Sequence, residues 1–123
     1  MAQSSASFHE DPEVLKTETK DRHRAIVSLM EELEAVDWYD QRVDGATDEE
    51  LRAVLAHNRD EEKEHAAMTL EWLRRHDAVW QKQLRNYLFT DKPILEVEAA
   101  IDAAEEGVEA PDEGSLGIGS LKR

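Results

Sequence analysis

The sequence predicts an all-α protein: an antiparallel two-helix hairpin plus a short C-terminal helix, with two copies pairing into a four-helix bundle. Three observations predict it. Apolar residues recur at helical spacing over two long stretches, Pro12 to Val43 and Asp48 to His76, and no Gly or Pro falls inside either. Only a few residues around Gly45 separate the stretches, so the second must fold back on the first. The chain has 123 residues, 40% of them apolar and many of those Ala, too lean a set for one hairpin to bury a large core.

Residues 1–11 are polar and Ser-rich and are expected to be a flexible N-terminus. Asp11-Pro12 reads as an N-cap followed by Pro at the first helical position, with Glu13 in the first turn. The first helix then runs to about Val43, a length of about 45 Å at the standard rise. Its inward stripe is Ala25, Ile26, Leu29, Leu33 and Val36. Glu32 falls at the edge of that stripe, with Tyr39 seven residues on, while Glu31, Glu34 and Trp38 share a different face.

Gly45 is expected to end this helix in the left-handed region. Thr47 and Glu50 have the spacing of a capping box for the second helix. That helix carries the stripe Leu51, Val54, Leu55, Asn58, Glu62, His65, Ala66, Thr69, Trp72, Leu73. Asn58, Glu62 and His65 interrupt an apolar face, and such local violations mark functional positions. Asp77-Ala78 permits a break, a shorter helix follows from Val79 to Phe89, and Thr90 to Pro93 stops it. Residues 12–93 therefore form the helical domain, residues 94–113 a weak helix with an acidic linker, and residues 114–123 a Gly-spaced tail carrying Leu116, Ile118 and Leu121.

The net charge of −14 argues against nucleic acid and against anionic membranes, both of which attract basic patches. The absence of Cys removes disulfides, thiolate zinc sites, iron–sulfur clusters and Cys nucleophiles. The first residues do not resemble a signal peptide and no apolar run reaches membrane-spanning length, so a soluble cytoplasmic protein is expected.

The chemistry resides in Glu62 and His65. On a helix, E-x-x-H projects a carboxylate and an imidazole from one face, the spacing used by carboxylate-bridged di-iron bundles. Glu32 and Glu62 lie similar distances before and after the turn and are expected at similar height. One chain thus offers two carboxylates and one imidazole. A second copy doubles these to four and two, enough for a di-iron centre. Spacing alone leaves alternatives open. An exposed Glu–His pair has the same pattern. Tyr39 fits either a donor near Glu32 or an amphipathic packing residue, and Glu31, Glu34 and Trp38 fit either a solvated face or a cation site beside an aromatic ring. His57 points to another face and is expected at the surface.

The runs His23-Arg24-Ala25-Ile26, Met30 to Tyr39, His57 to Trp72 and Tyr87-Leu88-Phe89-Thr90, together with the terminal Leu116-Gly117-Ile118-Gly119-Ser120-Leu121, resemble the encapsulated ferritins, the ferritin-like cargo of bacterial encapsulin nanocompartments. The resemblance implies a ferritin-like four-helix bundle made by two chains and a ferroxidase converting Fe(II) to Fe(III) for mineral storage inside the shell. It implies iron ligands at Glu32, Glu62 and His65 with Tyr39 in the catalytic surroundings, and a secondary metal site at Glu31 and Glu34 beside Trp38. Ca or Zn could occupy the same or the secondary sites. The implied assembly is a homodimer that builds a ring-shaped decamer, held within the encapsulin shell by a cargo-loading peptide whose anchors are Leu116, Ile118 and Leu121. Two other functions compete: a non-catalytic helical cargo or interaction module, and a peroxide-consuming di-iron protein of the rubrerythrin kind. The missing Cys ligands count against the latter.

Overall fold

The structure is a computed structural model that describes residues 7–107; the expectations for the first six residues, the end of the linker and Leu116, Ile118 and Leu121 lie outside the described residues. Every element among the described residues is helical. The chain divides into two units, Met1–His76 and Asp77–Arg123. The division falls within the segment 12–93.

In the first unit, Asp11 caps only a short turn. Its Oδ1 accepts from the Glu13 amide at 2.9 Å, and Pro12–Val14 form a single 3-10 turn. The turn is closed by bonds from Val14 N to Asp11 O and from Leu15 N to Pro12 O, a spacing that does not propagate into an α-helix. Leu15 and Lys16 are extended, and helix α1, Thr17–Gly45, starts afresh with Glu18 in its first turn. The first helix therefore begins at Thr17 and not at Pro12. The ring of Phe8 lies 4.6 Å from that of His23, which holds the leading segment against α1.

Helix α2 is Glu49–Arg75. Its N-cap is Asp48, whose Oδ2 accepts from Leu51 N at 2.9 Å, so the cap lies one residue beyond the expected Thr47, and with Leu51 at the third helical position the expected capping box does not form. Glu49 and Glu50 at its start and Arg74 and Arg75 at its end complement the helix dipole. At the C-terminus Trp72 and His76 stack at 3.9 Å, and His76 Nδ1 donates to Trp72 O at 2.8 Å. Gly45 differs from expectation: it is the last residue of α1, and no glycine among the described residues has a positive φ.

Hydrogen bonds cross the hairpin among the described residues. Arg52 Nε donates to Val43 O, Arg59 Nη1 to Asp40 Oδ1, and Thr69 Oγ1 to Glu32 Oε1, each at 3.1 Å. The partner number falls as the α2 number rises, which shows the helices to be antiparallel. Packing between α1 and α2 buries little. Among the described residues the buried apolar side chains are Ala66 and Leu73, while Ile26, Leu33, Leu51, Val54 and Met68 are exposed. Much of the stripe that the sequence assigns to a core is thus open in one copy.

In the second unit, Asp77 caps helix α3, Ala78–Tyr87, accepting from Val79 N and Trp80 N through Oδ1. The helix stops two residues before the expected Phe89 because Leu88 turns extended, at φ −75 and ψ 144, and Phe89 beyond it takes φ 62. Thr90 Oγ1 donates to Tyr87 O at 2.8 Å and closes the turn. Pro93 then opens helix α4, Ile94–Glu106, which is regular over 13 residues. Lys82 Nζ lies 3.5 Å from Glu105 Oε2, joining α3 to α4. Burial pushes the Tyr87 hydroxyl above its ordinary pKa, with Glu98, Asp102 and Glu105 adding to the rise. None of the helices among the described residues is long and apolar enough to cross a membrane.

Candidate metal centre

The E-x-x-H spacing on α2 produces the contact it should. Glu62 Oε1 lies 3.6 Å from His65 Nδ1, with the two side chains 29% and 48% exposed. The pair is therefore on one face and open on one side. Glu32 is half-buried on α1, where its Oε1 accepts from Thr69 Oγ1. Thr69 follows His65 by four residues and Glu62 by seven, so all three line one face of α2.

Glu32 is tied to Thr69, seven residues further along α2 than Glu62. Level Cα positions do not bring carboxylates together on antiparallel helices, because every side chain leans toward its own helix N-terminus. Glu32 leans away from the turn and Glu62 toward it. Among the described residues, no three carboxylate or imidazole side chains come together in a metal-holding group. One chain brings Glu62 to His65, and Glu32 to Thr69, but does not gather the three donors.

The remaining candidates are placed as follows. Tyr39 is half-buried on α1, with the Arg42 guanidinium 5.4 Å from its ring centre. Glu31 is exposed and Glu34 half-buried, both on α1. Trp38 is 49% exposed and borders a shallow cleft of about 350 Å³ with Gln41 and Arg42. Asn58 is half-buried and His57 is exposed, its Nε2 3.8 Å from Glu61 Oε2. Thr69 also borders an open groove of about 430 Å³ shared with Ala25, Ser28, Met68 and Trp72. The sequence places Thr69 in the stripe but assigns it no part; its spacing of four and seven from the E-x-x-H pair was the available signal.

Comparison with known proteins bears on this arrangement. The EncFtn-like family matches residues 7–91. An encapsulated ferritin-like protein of Rhodospirillum rubrum is 69% identical over 99% of this chain and 92% of its own length. The encapsulin nanocompartment cargo protein EncC of Myxococcus xanthus is 30% identical over 87% of this chain and 88% of its own. Among solved structures, the crystal structure of protein ne0167 from Nitrosomonas europaea superposes with a TM-score of 0.69 at 62% identity, covering 72% of this chain and 97% of that one. From the hairpin, its E-x-x-H pair and these likenesses, the chain belongs to the EncFtn-like family of encapsulated ferritin-like proteins.

Proposed function

We propose that two copies of this chain build a ferroxidase centre between them, with Glu32, Glu62 and His65 of each copy binding ferrous iron as substrate. The observation that carries this reading is the Glu62–His65 pair, 3.6 Å apart on a face left open in a single copy. A half-site needs an open side for its complement. The exposed Ile26, Leu33, Leu51 and Val54 give the pairing an apolar driving force. Family membership supports iron as the metal, and the carboxylate-rich, thiolate-free donor set suits it.

Four carboxylates balance the charge of two ferrous ions, and two imidazoles add nitrogen donors. Each ion gives up one electron. The two electrons, with two protons, take one dioxygen to hydrogen peroxide; with hydrogen peroxide as oxidant they yield water instead. The side chains hold the ions at a fixed separation, and Tyr39 lies one heptad along α1 from Glu32. Glu31 and Glu34 beside Trp38 form a secondary site that attracts iron toward the centre, and Ca or Zn competes at either place. The homodimers close into a ring-shaped decamer.

The relatives named for encapsulation support a second assignment. The chain is cargo of an encapsulin shell within the cytoplasm, where Leu116, Ile118 and Leu121 enter apolar pockets of the shell's inner wall. The shell stores the mineral and this chain performs the oxidation.

Oxygen consumption on adding Fe(II) to the full-length protein tests the centre. Glu62→Ala and His65→Ala are expected to lose most of it while circular dichroism retains the helices. Unchanged turnover in both would overturn the ferroxidase reading in favour of a non-catalytic cargo module. Removing the residues after Pro111 is expected to abolish co-purification with the shell protein and to leave oxygen consumption intact.

A further inference from the structure

We infer that Thr69 is a positioning residue for Glu32: its hydroxyl commits one carboxylate oxygen to the protein and leaves the other for the metal. The inference rests on the reading of Glu32 as an iron ligand.

Thr69 Oγ1 lies 3.1 Å from Glu32 Oε1 and 3.0 Å from the His65 carbonyl oxygen. Both neighbours are acceptors, and a threonine hydroxyl has one proton to give. A threonine inside a helix ordinarily gives that proton to the carbonyl four residues back. An ionised carboxylate is the stronger acceptor and draws the proton across the hairpin. The bond therefore does more than decorate α2. It connects Glu32, the donor on α1, to the helix face that carries Glu62 and His65.

The consequence follows from side-chain freedom. A glutamate has three rotatable bonds, and fixing them costs conformational entropy. Holding Oε1 in place beforehand removes much of that cost from metal binding. It also favours coordination through a single oxygen, because Oε1 is already engaged. A partly buried bond is suited to this task, since water competes less for it. Serine would preserve the bond. Valine would match the shape of threonine and abolish it.

Titration of the full-length protein with Co(II), followed by its visible d–d absorption and by the number of ions bound, separates this role from a merely structural one. Thr69→Val is expected to weaken Co(II) binding about tenfold and to alter the absorption envelope, with helix content unchanged. Thr69→Ala, which removes the hydroxyl without a branched replacement, should show the same loss, so the outcome does not hang on one variant's folding. Thr69→Ser should restore binding. Glu32→Ala serves as the reference. If Glu32→Ala loses the ion while Thr69→Val and Thr69→Ala bind it like the wild type, Thr69 has no positioning role and the ligand reading stands. If Glu32→Ala also binds like the wild type, the ligand reading itself fails and takes Thr69 with it. Failure of serine to restore binding would overturn the hydroxyl as the cause.

Discussion

Arg59 Nη1 on α2 donates to Asp40 Oδ1 on α1 at 3.1 Å, tying the two long helices together across the hairpin. The same guanidinium reaches its neighbour Asp60 through Nε at 3.2 Å. Arg59 holds the Asp60 carboxyl below its ordinary range, chiefly through that hydrogen bond, with Lys63 adding to the effect. Arg59→Met is therefore expected to let the Asp60 carboxyl rise toward its ordinary pKa and to lower the thermal midpoint modestly. Asp40→Asn should do less, because Asp40 is about half exposed and such pairs are well solvated. Carboxyl NMR titration and a melt check both; no movement of Asp60 in Arg59→Met would contradict the assignment.

A hairpin this sparsely packed should not be stable on its own. With Leu33 at 55% and Met68 at 63% exposure, and Ala66 and Leu73 as the buried apolar residues described, stability should depend on association. The thermal midpoint is expected to rise with protein concentration. A midpoint constant over a hundredfold range of concentration would count against pairing through this face.

Glu71 contributes to the acid limb. Arg74 donates to both of its oxygens and Arg75 to one, all at 2.7 Å, and together they depress its carboxyl from 4.5 to about 2. A depressed folded-state value stabilises the fold above the unfolded pKa, and that contribution disappears as pH falls through the folded one. The loss should span roughly pH 4.5 to 2. Exposure limits its size. Glu71→Gln should flatten the fall of the midpoint within that window and leave the remainder of the profile alone; an identical acid profile in wild type and variant would contradict it.

Much of this was legible in the residues themselves. Gly-free, Pro-free stretches gave both long helices, and the spacing of Glu62 and His65 brought them to one face because helical periodicity is a local property. The break at Leu15–Lys16 escaped, since Asp11-Pro12 caps a 3-10 turn as readily as an α-helix. The contact of Glu32 with Thr69 escaped for a different reason. Counting from the turn locates Cα atoms, whereas ligands are carboxylates, and the opposed lean of side chains on antiparallel helices separates them. The spacing of Thr69 from Glu62 and His65 put it on their face, but its bond to Glu32 depends on how the two helices pack.

Gly45 and Phe89 are mismatched to their backbones in opposite senses. Gly45 is helical, and a Cβ there would meet nothing within 4 Å. Gly45→Ala should therefore stabilise the chain by about 0.5–1 kcal/mol, measurable by denaturant unfolding; a loss of stability would show that the end of α1 needs glycine's freedom after all. Phe89 is 95% exposed at φ 62, where an L-residue pays about 1–2 kcal/mol, and it receives little packing from the described residues. A programme to raise thermal tolerance could thus begin at these two corners, far in sequence from Glu62 and His65, by giving one a methyl group and replacing the other with glycine.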